Sequence, residues 1–358
     1  MKKTSDEINN FNKNRIIFNR IKYSYCEEDY CFIVIDGGRK MKYKKTCLLL
    51  SFLLLITSSV YLVSSVNTLD YQPPRAVHLS FQENPETSMS ITWITAWLQS
   101  YQPMVEYGTS SADYTKKMTG ETKLILKGDV LEMVHTVSLT GLKTNTSYYY
   151  HCGNHEYGWS NQYQFTTADV FDDHFRFVAL GDSRTNITQR TKVIDSVKET
   201  NPSFILHTGD LVSSGAVYNQ WNIFFDNYEE TISCIPLLPC IGNHDTILFG
   251  KIAPYYYKLF ALPDNEHYYS FDYKNVHVIM ANSEERQLNI KKGSEQYRWL
   301  EADLVAASTN PDIEWIIVGF HRPPYNSGTA HGNDTLIRKH WCPLFDTYQV
   351  DLVISGHE

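Results

Sequence analysis

The sequence predicts an all-β sandwich over residues 71–168, followed by an α/β sandwich of mixed sheets flanked by helices over residues 174–358. Three observations predict this. Across residues 71–168, short segments alternate in hydrophobicity with period two and are parted by turn residues, with no helical stretch between them. From His174 onward, continuous apolar runs alternate with segments of helical spacing. The chain has 358 residues, 42% of them hydrophobic, enough for two packed domains plus a targeting segment.

Residues 1–40 are polar, rich in Asn and Lys and without pattern, an extension that is untranslated if Met41 is the true start. Residues 41–66 read as targeting sequence. Lys42, Lys44 and Lys45 precede an apolar run, and Val63-Ser64-Ser65 supplies the small residues of a signal-peptidase site. Started at Met41, this is a cleaved signal peptide. Started at Met1, residues 47–66 become an uncleaved type II anchor with a basic cytosolic flank. In both cases the rest of the chain is expected to be secreted, lumenal or extracellular, and membrane-bound only if the segment is retained. Sequons at Asn145, Asn186 and Asn333 agree with that compartment. Cys152, Cys234, Cys240 and Cys342 remain after the signal. Cys234 and Cys240 could close a small disulfide loop, or stay as buried thiols.

In the first domain, strands are expected at residues 77–81, 88–94, 104–108, 135–139 and 147–152. His135 has no Cys, Asp or second His at ligand spacing and reads as structural. In the second domain, strands are expected at residues 175–180, 204–208, 236–241, 276–281, 315–320 and 350–355, with helices at 189–199 and 295–307. The net charge of −8, without a basic tract beyond the N-terminal flank, argues against a nucleic-acid partner.

The chemistry-bearing residues follow a positional rule. Five apolar strands each end in a side chain suited to metal binding: Asp182, Asp210, Asn243 with His244, His321, and His357. The carboxyl ends of the strands are where an open α/β sheet gathers its ligand site. A donor set of carboxylate, amide oxygen and imidazole suits Zn, Mn or Fe rather than a hard cation. A carboxylate placed to bridge suggests two ions about 3.5–4 Å apart.

Gly-Asp, Gly-Asp, Gly242-Asn243-His244-Asp245, a His after a strand, and Gly-His, in that order, resemble the signature of the calcineurin-like metallophosphoesterases. Within that superfamily, residues 71–358 look like a purple acid phosphatase. The turn at residues 141–146 and the Tyr run after it resemble the fibronectin type III-like N-terminal domain of that family. The resemblance implies hydrolysis of small phosphate monoesters at a dinuclear centre of divalent or trivalent ions, with metal-bound hydroxide as nucleophile. Asp182 would bind the first ion, Asp210 would bridge both, and Asn243, His321 and His357 would hold the second. His244 would act as general acid or phosphate donor. His331, in a segment resembling the family's substrate loop, would approach the phosphate, and Arg184 could bind a phosphate oxygen.

Two departures from the family pattern stand out. The tyrosine expected three residues after the bridging Asp is Ser213, and the His that sister families carry two residues after the first Asp is Arg184. The first ion therefore lacks both usual extra ligands, and the enzyme is expected to be colourless. The family's Gly-His-x-His motif runs only to Gly356-His357-Glu358, so the catalytic domain is expected to be C-terminally incomplete. Two further readings stay open: a phosphodiesterase or nucleotide hydrolase on the same scaffold, and a non-catalytic cell-surface binding protein with a degenerate site.

Overall fold

The computed structural model describes residues 21–27, 30–35, 40–44, 73–97, 101–127, 130–171, 174–247, 252–285 and 289–358. Residues 1–71 form one compact unit and 72–358 another. In the first, β1 (Ile21–Glu27), β2 (Tyr30–Ile35) and β3 (Lys40–Lys44) form an antiparallel sheet in that order. This corrects the expectation that residues 1–40 have no pattern. Ile21, Tyr23 and Tyr25 alternate with polar residues, and residues 30–35 are an apolar run bounded by Asp29 and Asp36. The apolar run of the targeting segment lies outside the described residues. No helix among the described residues is long and apolar enough to cross a membrane.

The second unit begins with two antiparallel sheets. One has the order β4-β5-β9-β8, built from Arg75–Ser80, Met89–Ala96, Val130–Leu139 and Glu121–Lys127. The other has the order β11-β10-β6-β7, from Gly158–Trp159, Ser147–Asn154, Met104–Gly108 and Lys116–Thr119, with β12 (Tyr163–Thr166) also on β10. Their inward residues, among them Val77, Ile91, Trp93, Val105, Val137 and Tyr150, are fully buried. His135 is structural, as expected. Its ring lies between the hydroxyls of Thr95 (2.9 Å) and Thr122 (2.8 Å), and burial lowers its pKa to about 3.

The α/β half contains a parallel sheet of β13 (Phe177–Leu180), β14 (Phe204–His207) and β15 (Leu237–Pro239). A second sheet orders β16 (Tyr269–Tyr273), β17 (Val276–Met280), β18 (Trp315–Phe320) and β19 (Leu352–Ser355), antiparallel only between β16 and β17. The helices are α1 (Ile187–Glu199), α2 (Tyr218–Ile232), the short α3 (Tyr256–Leu259), α4 (Glu295–Thr309), α5 (Thr335–His340) and α6 (Cys342–Thr347). Asn186 and Ser294 accept backbone N–H groups at the starts of α1 and α4, which fixes where these helices begin.

Helix α2 joins the halves. Its buried face, Tyr218, Trp221, Phe225, Tyr228 and Ile232, repeats at three and four residues. From the same helix Glu229 accepts the N–H of Ala76 at 2.7 Å and the hydroxyl of Tyr163 at 2.8 Å. Just beyond it, the carbonyl of Ser233 accepts the Tyr150 hydroxyl at 2.7 Å. The sandwich and the α/β half thus share one apolar core.

Cys152, Cys234, Cys240 and Cys342 are free thiols. Of the two readings for Cys234 and Cys240, the structure has free thiols rather than a bridge, because extended β15 lies between the two. At about 3.3 Å per residue that separation exceeds the reach of a disulfide.

Candidate metal centre

The parallel strands of both sheets end on the same cluster of side chains. Asp182 follows β13, Asp210 follows β14, Asn243 and His244 follow β15, His321 follows β18 and His357 follows β19. The sheets are stitched together at these ends. The His321 ring donates from Nδ1 to the carbonyl of Thr208 at 2.8 Å, and the N–H of Gly356 donates to the His321 carbonyl at 3.0 Å. Gly209, between Thr208 and Asp210, has φ +89°. A Cβ there would lie 2.7 Å from the Gly242 nitrogen and 3.0 Å from the His321 ring, so only glycine lets the strand ends close up. Asp182, Asp210 and His357 also take positive φ, at 53°, 57° and 74°.

The lone pairs of the cluster converge. With its Nδ1 proton on Thr208, neutral His321 has a bare Nε2. That atom lies 3.0 Å from Asn243 Oδ1, 3.4 Å from Asp210 Oδ1 and 3.0 Å from His357 Nδ1. Potential ligand atoms of Asp210, His321 and His357 all lie within 4.8 Å of one another, and all three residues are buried. Arg322 donates to His357 Nε2, so neutral His357 carries its proton on Nδ1 and donates it to His321 Nε2, while Asn243 Oδ1 and Asp210 Oδ1 face the same nitrogen with no proton of their own. The titration directions agree. Burial opposes the His321 charge, but Asp210 outweighs it and raises the pKa. Burial likewise raises Asp210, but His321 and the His244 N–H bring it down to about 2. A transition-metal ion fits this donor set.

Asp182 stands at the other side of Asp210, and the group between them is Arg184. Its Nη1 contacts Asp210 Oδ2 and lies 3.4 Å from Asp182 Oδ1. The remaining Asp182 oxygen accepts the His357 N–H at 2.8 Å. His244 donates its backbone N–H to Asp210 Oδ1 at 2.8 Å, and its ring Nδ1 donates to the Ser213 carbonyl at 2.9 Å. The His331 ring centre lies 4.1 Å from that of His357, with the two planes tilted by 34°.

Two supporting residues were not anticipated from the sequence. Asp245, fully buried, accepts four backbone N–H groups: Asp210 (2.9 Å) and Gly242 (2.9 Å) on one oxygen, Leu211 (2.9 Å) and Val212 (3.2 Å) on the other. Burial and the Asp210 charge push its pKa up to about 7, against the pull of those donors. Its place at the end of the Gly-Asn-His-Asp run was the only signal. Arg322 is held by Glu284 through Nε (3.0 Å) and Nη2 (2.8 Å), and its Nη1 reaches His357 Nε2 at 3.0 Å. Nothing in the sequence pairs Arg322 with a carboxylate 38 residues away.

Comparison with known proteins agrees with this geometry. Residues 74–167 match the purple acid phosphatase N-terminal domain family, and residues 175–358 match the calcineurin-like phosphoesterase family. An uncharacterized protein of Mycobacterium tuberculosis is 28% identical over 325 residues, covering 80% of this chain. This chain spans only 61% of that relative's length. Probable purple acid phosphatase 20 of Arabidopsis thaliana is 31% identical over 79% of this chain and 67% of its own length. The structure of a purple acid phosphatase from yellow lupin seeds superposes with a TM-score of 0.69 at 20% identity, over 80% of this chain and 58% of the lupin chain, and shares the fold. The chain belongs to the purple acid phosphatase-like calcineurin-like phosphoesterases.

Proposed function

We propose that this protein hydrolyses phosphate monoesters at the centre formed by the strand ends. The observation that supports the reading is the convergence of Asp210, Asn243 Oδ1, His321 Nε2 and His357 Nδ1 on one small volume at the strand ends. A bound metal supplies charge neutralisation at phosphate oxygens and activation of water for in-line attack. The mixed N and O donors suit Zn, Mn or Fe.

The chain's own residues do the rest. Thr208 fixes the His321 tautomer, and Asp245 fixes the backbone of Asp210 and Gly242. The Ser213 carbonyl takes the Nδ1 proton of His244, which leaves Nε2 to pass a proton to the departing alkoxide. His331, whose ring lies against that of His357, donates to a phosphate oxygen. Secretion or lumenal residence goes with this reading, since Asn145, Asn186 and Asn333 are all exposed.

The test is phosphate release from p-nitrophenyl phosphate by the apo protein reloaded with Zn, Mn or Fe. Wild type is expected to turn over only with metal, and Asn243→Ala and His244→Ala each to lose at least 10²-fold, in the range of a lost general acid. Metal-dependent cleavage of bis(p-nitrophenyl) phosphate in preference to the monoester would move the assignment to phosphodiesters. A folded, metal-loaded protein that cleaves neither would overturn it.

A further inference from the structure

We propose that the Arg184 guanidinium serves as the cation at one of the centre's two positions, so that this chain takes a single metal ion where the family resemblance implies two. The inference rests on reading Asp210, Asn243, His321 and His357 as metal donors. It does not require that the loaded centre be an esterase.

The geometry divides the centre into two unlike halves. On one side of Asp210, His321 Nε2, Asn243 Oδ1 and His357 Nδ1 face one another, and the cationic side chain beside them, Arg322, lies on the far ring nitrogen of His357. On the other side the space between Asp210 and Asp182 belongs to Arg184, whose Nη1 touches Asp210 Oδ2 and approaches Asp182 Oδ1. Every carboxylate oxygen in this half is engaged. Asp182 Oδ2 takes the His357 N–H, and Asp182 Oδ1 and Asp210 Oδ2 are the oxygens that Arg184 holds. An ion entering this half would have to displace the guanidinium from the oxygens it needs. It would also meet a permanent positive charge, since Arg does not deprotonate in proteins.

Arg184 is not a solvated surface residue that has swung in. Its side chain is 24% exposed, and its main chain is fastened from below. The fastener is Ser213, whose hydroxyl donates to the Arg184 carbonyl at 2.8 Å. Ser213 stands where a family tyrosine would supply a metal ligand, and here its backbone carbonyl also orients His244. The two departures from the family pattern, Arg184 and Ser213, are therefore one arrangement. A hydroxyl that would have faced a metal instead anchors the residue that replaces it.

The test counts metal ions. The full chain is stripped with chelator, reloaded with Mn(II), and analysed for metal content by mass spectrometry and by electron paramagnetic resonance. Wild type is expected to hold one Mn per chain and to show an uncoupled six-line spectrum. Arg184→Lys keeps a cation and is expected to stay at one. Arg184→Ala and Arg184→His free the two carboxylates, and are expected to hold two ions with an exchange-coupled spectrum. Circular dichroism confirms that each variant is folded. Two ions in wild type with affinities within tenfold of each other would overturn the proposal. So would one ion in folded Arg184→Ala and Arg184→His. Lack of esterase activity at one-ion stoichiometry counts against the proposed function alone, because the count is read without substrate.

Discussion

Replacing Asp245 with Ala should both destabilise the fold and weaken metal binding, and the size of each effect follows from its four hydrogen bonds. All four donors are backbone N–H groups, and the side chain is completely buried. An unpaired buried N–H costs about 1–3 kcal/mol, and water entering the vacated space re-satisfies part of the set. At the low end of that range for each donor, the loss is about 4 kcal/mol. For a unit of this size about 2 °C of melting temperature is lost per kcal/mol, so the apo protein should melt about 8 °C lower. Asp245→Asn keeps one acceptor oxygen but turns an NH₂ toward two donors, and should lose somewhat less. Metal affinity should fall by about 10–100-fold in both variants, the usual effect of removing a group that orients ligands. Thermal unfolding of the apo protein gives the first quantity, and isothermal titration with Zn(II) near 10 °C the second. Asp245→Asn melting within 1 °C of wild type, with unchanged Zn(II) affinity, would refute the claim that this carboxylate holds the strand ends.

Two further outcomes are expected. His277 lies between Asp272 (2.6 Å) and Asp303 (3.0 Å), and although burial opposes its charge, the two carboxylates raise its pKa from 6.5 to about 9. Its folded pKa exceeds its unfolded one, so the stabilisation is complete below pH 6.5 and is lost as pH rises through 9. Discounted for the exposure of Asp272, it is worth about 2 kcal/mol, to be read as a step in urea stability between pH 6 and 9.5 that His277→Gln lacks; an unchanged step in the variant contradicts the assignment. Tyr150→Phe leaves the buried Ser233 carbonyl unpaired and should cost about 1–2 kcal/mol, with the sandwich and the α/β half still unfolding in one transition. Two separated transitions in wild type would show that the halves do not share a core.

The cluster at the strand ends was legible in the sequence because each member stands at the end of an apolar run, and the strand ends are where a parallel sheet gathers its polar side chains. Asp182, Asp210, Asn243, His321 and His357 needed no long-range information beyond that rule. What escaped depends on partners far apart in sequence. Asp245 acts through backbone N–H groups of Asp210, Leu211 and Val212, and Arg322 acts through Glu284. Arg184 could be read outward or inward until its distance to Asp210 was known. Helix α2 escaped for a different reason. Its buried face is made of Tyr, Trp and Phe, which have strand-like propensity, and the three-and-four spacing had to outweigh that preference. The free thiols at Cys234 and Cys240 depend on the extension of β15, which spacing alone does not reveal.

The left-handed backbone at Asp182, Asp210 and His357 has an evolutionary corollary. A residue with a Cβ in that conformation costs roughly 1–2 kcal/mol relative to glycine. Asn, Asp and His are the side chains that tolerate it best after glycine. If a lineage lost its need for the metal, drift at these three positions would run downhill, toward Gly, and the protein would become more stable as it became inert. Asp and His tolerate this conformation better than most side chains, though less well than glycine, so the two aspartates and the histidine hold it at a modest cost. The same three positions offer a way to sort relatives of this chain. A relative with Gly there would keep the backbone path and lose the donor atoms of the cluster.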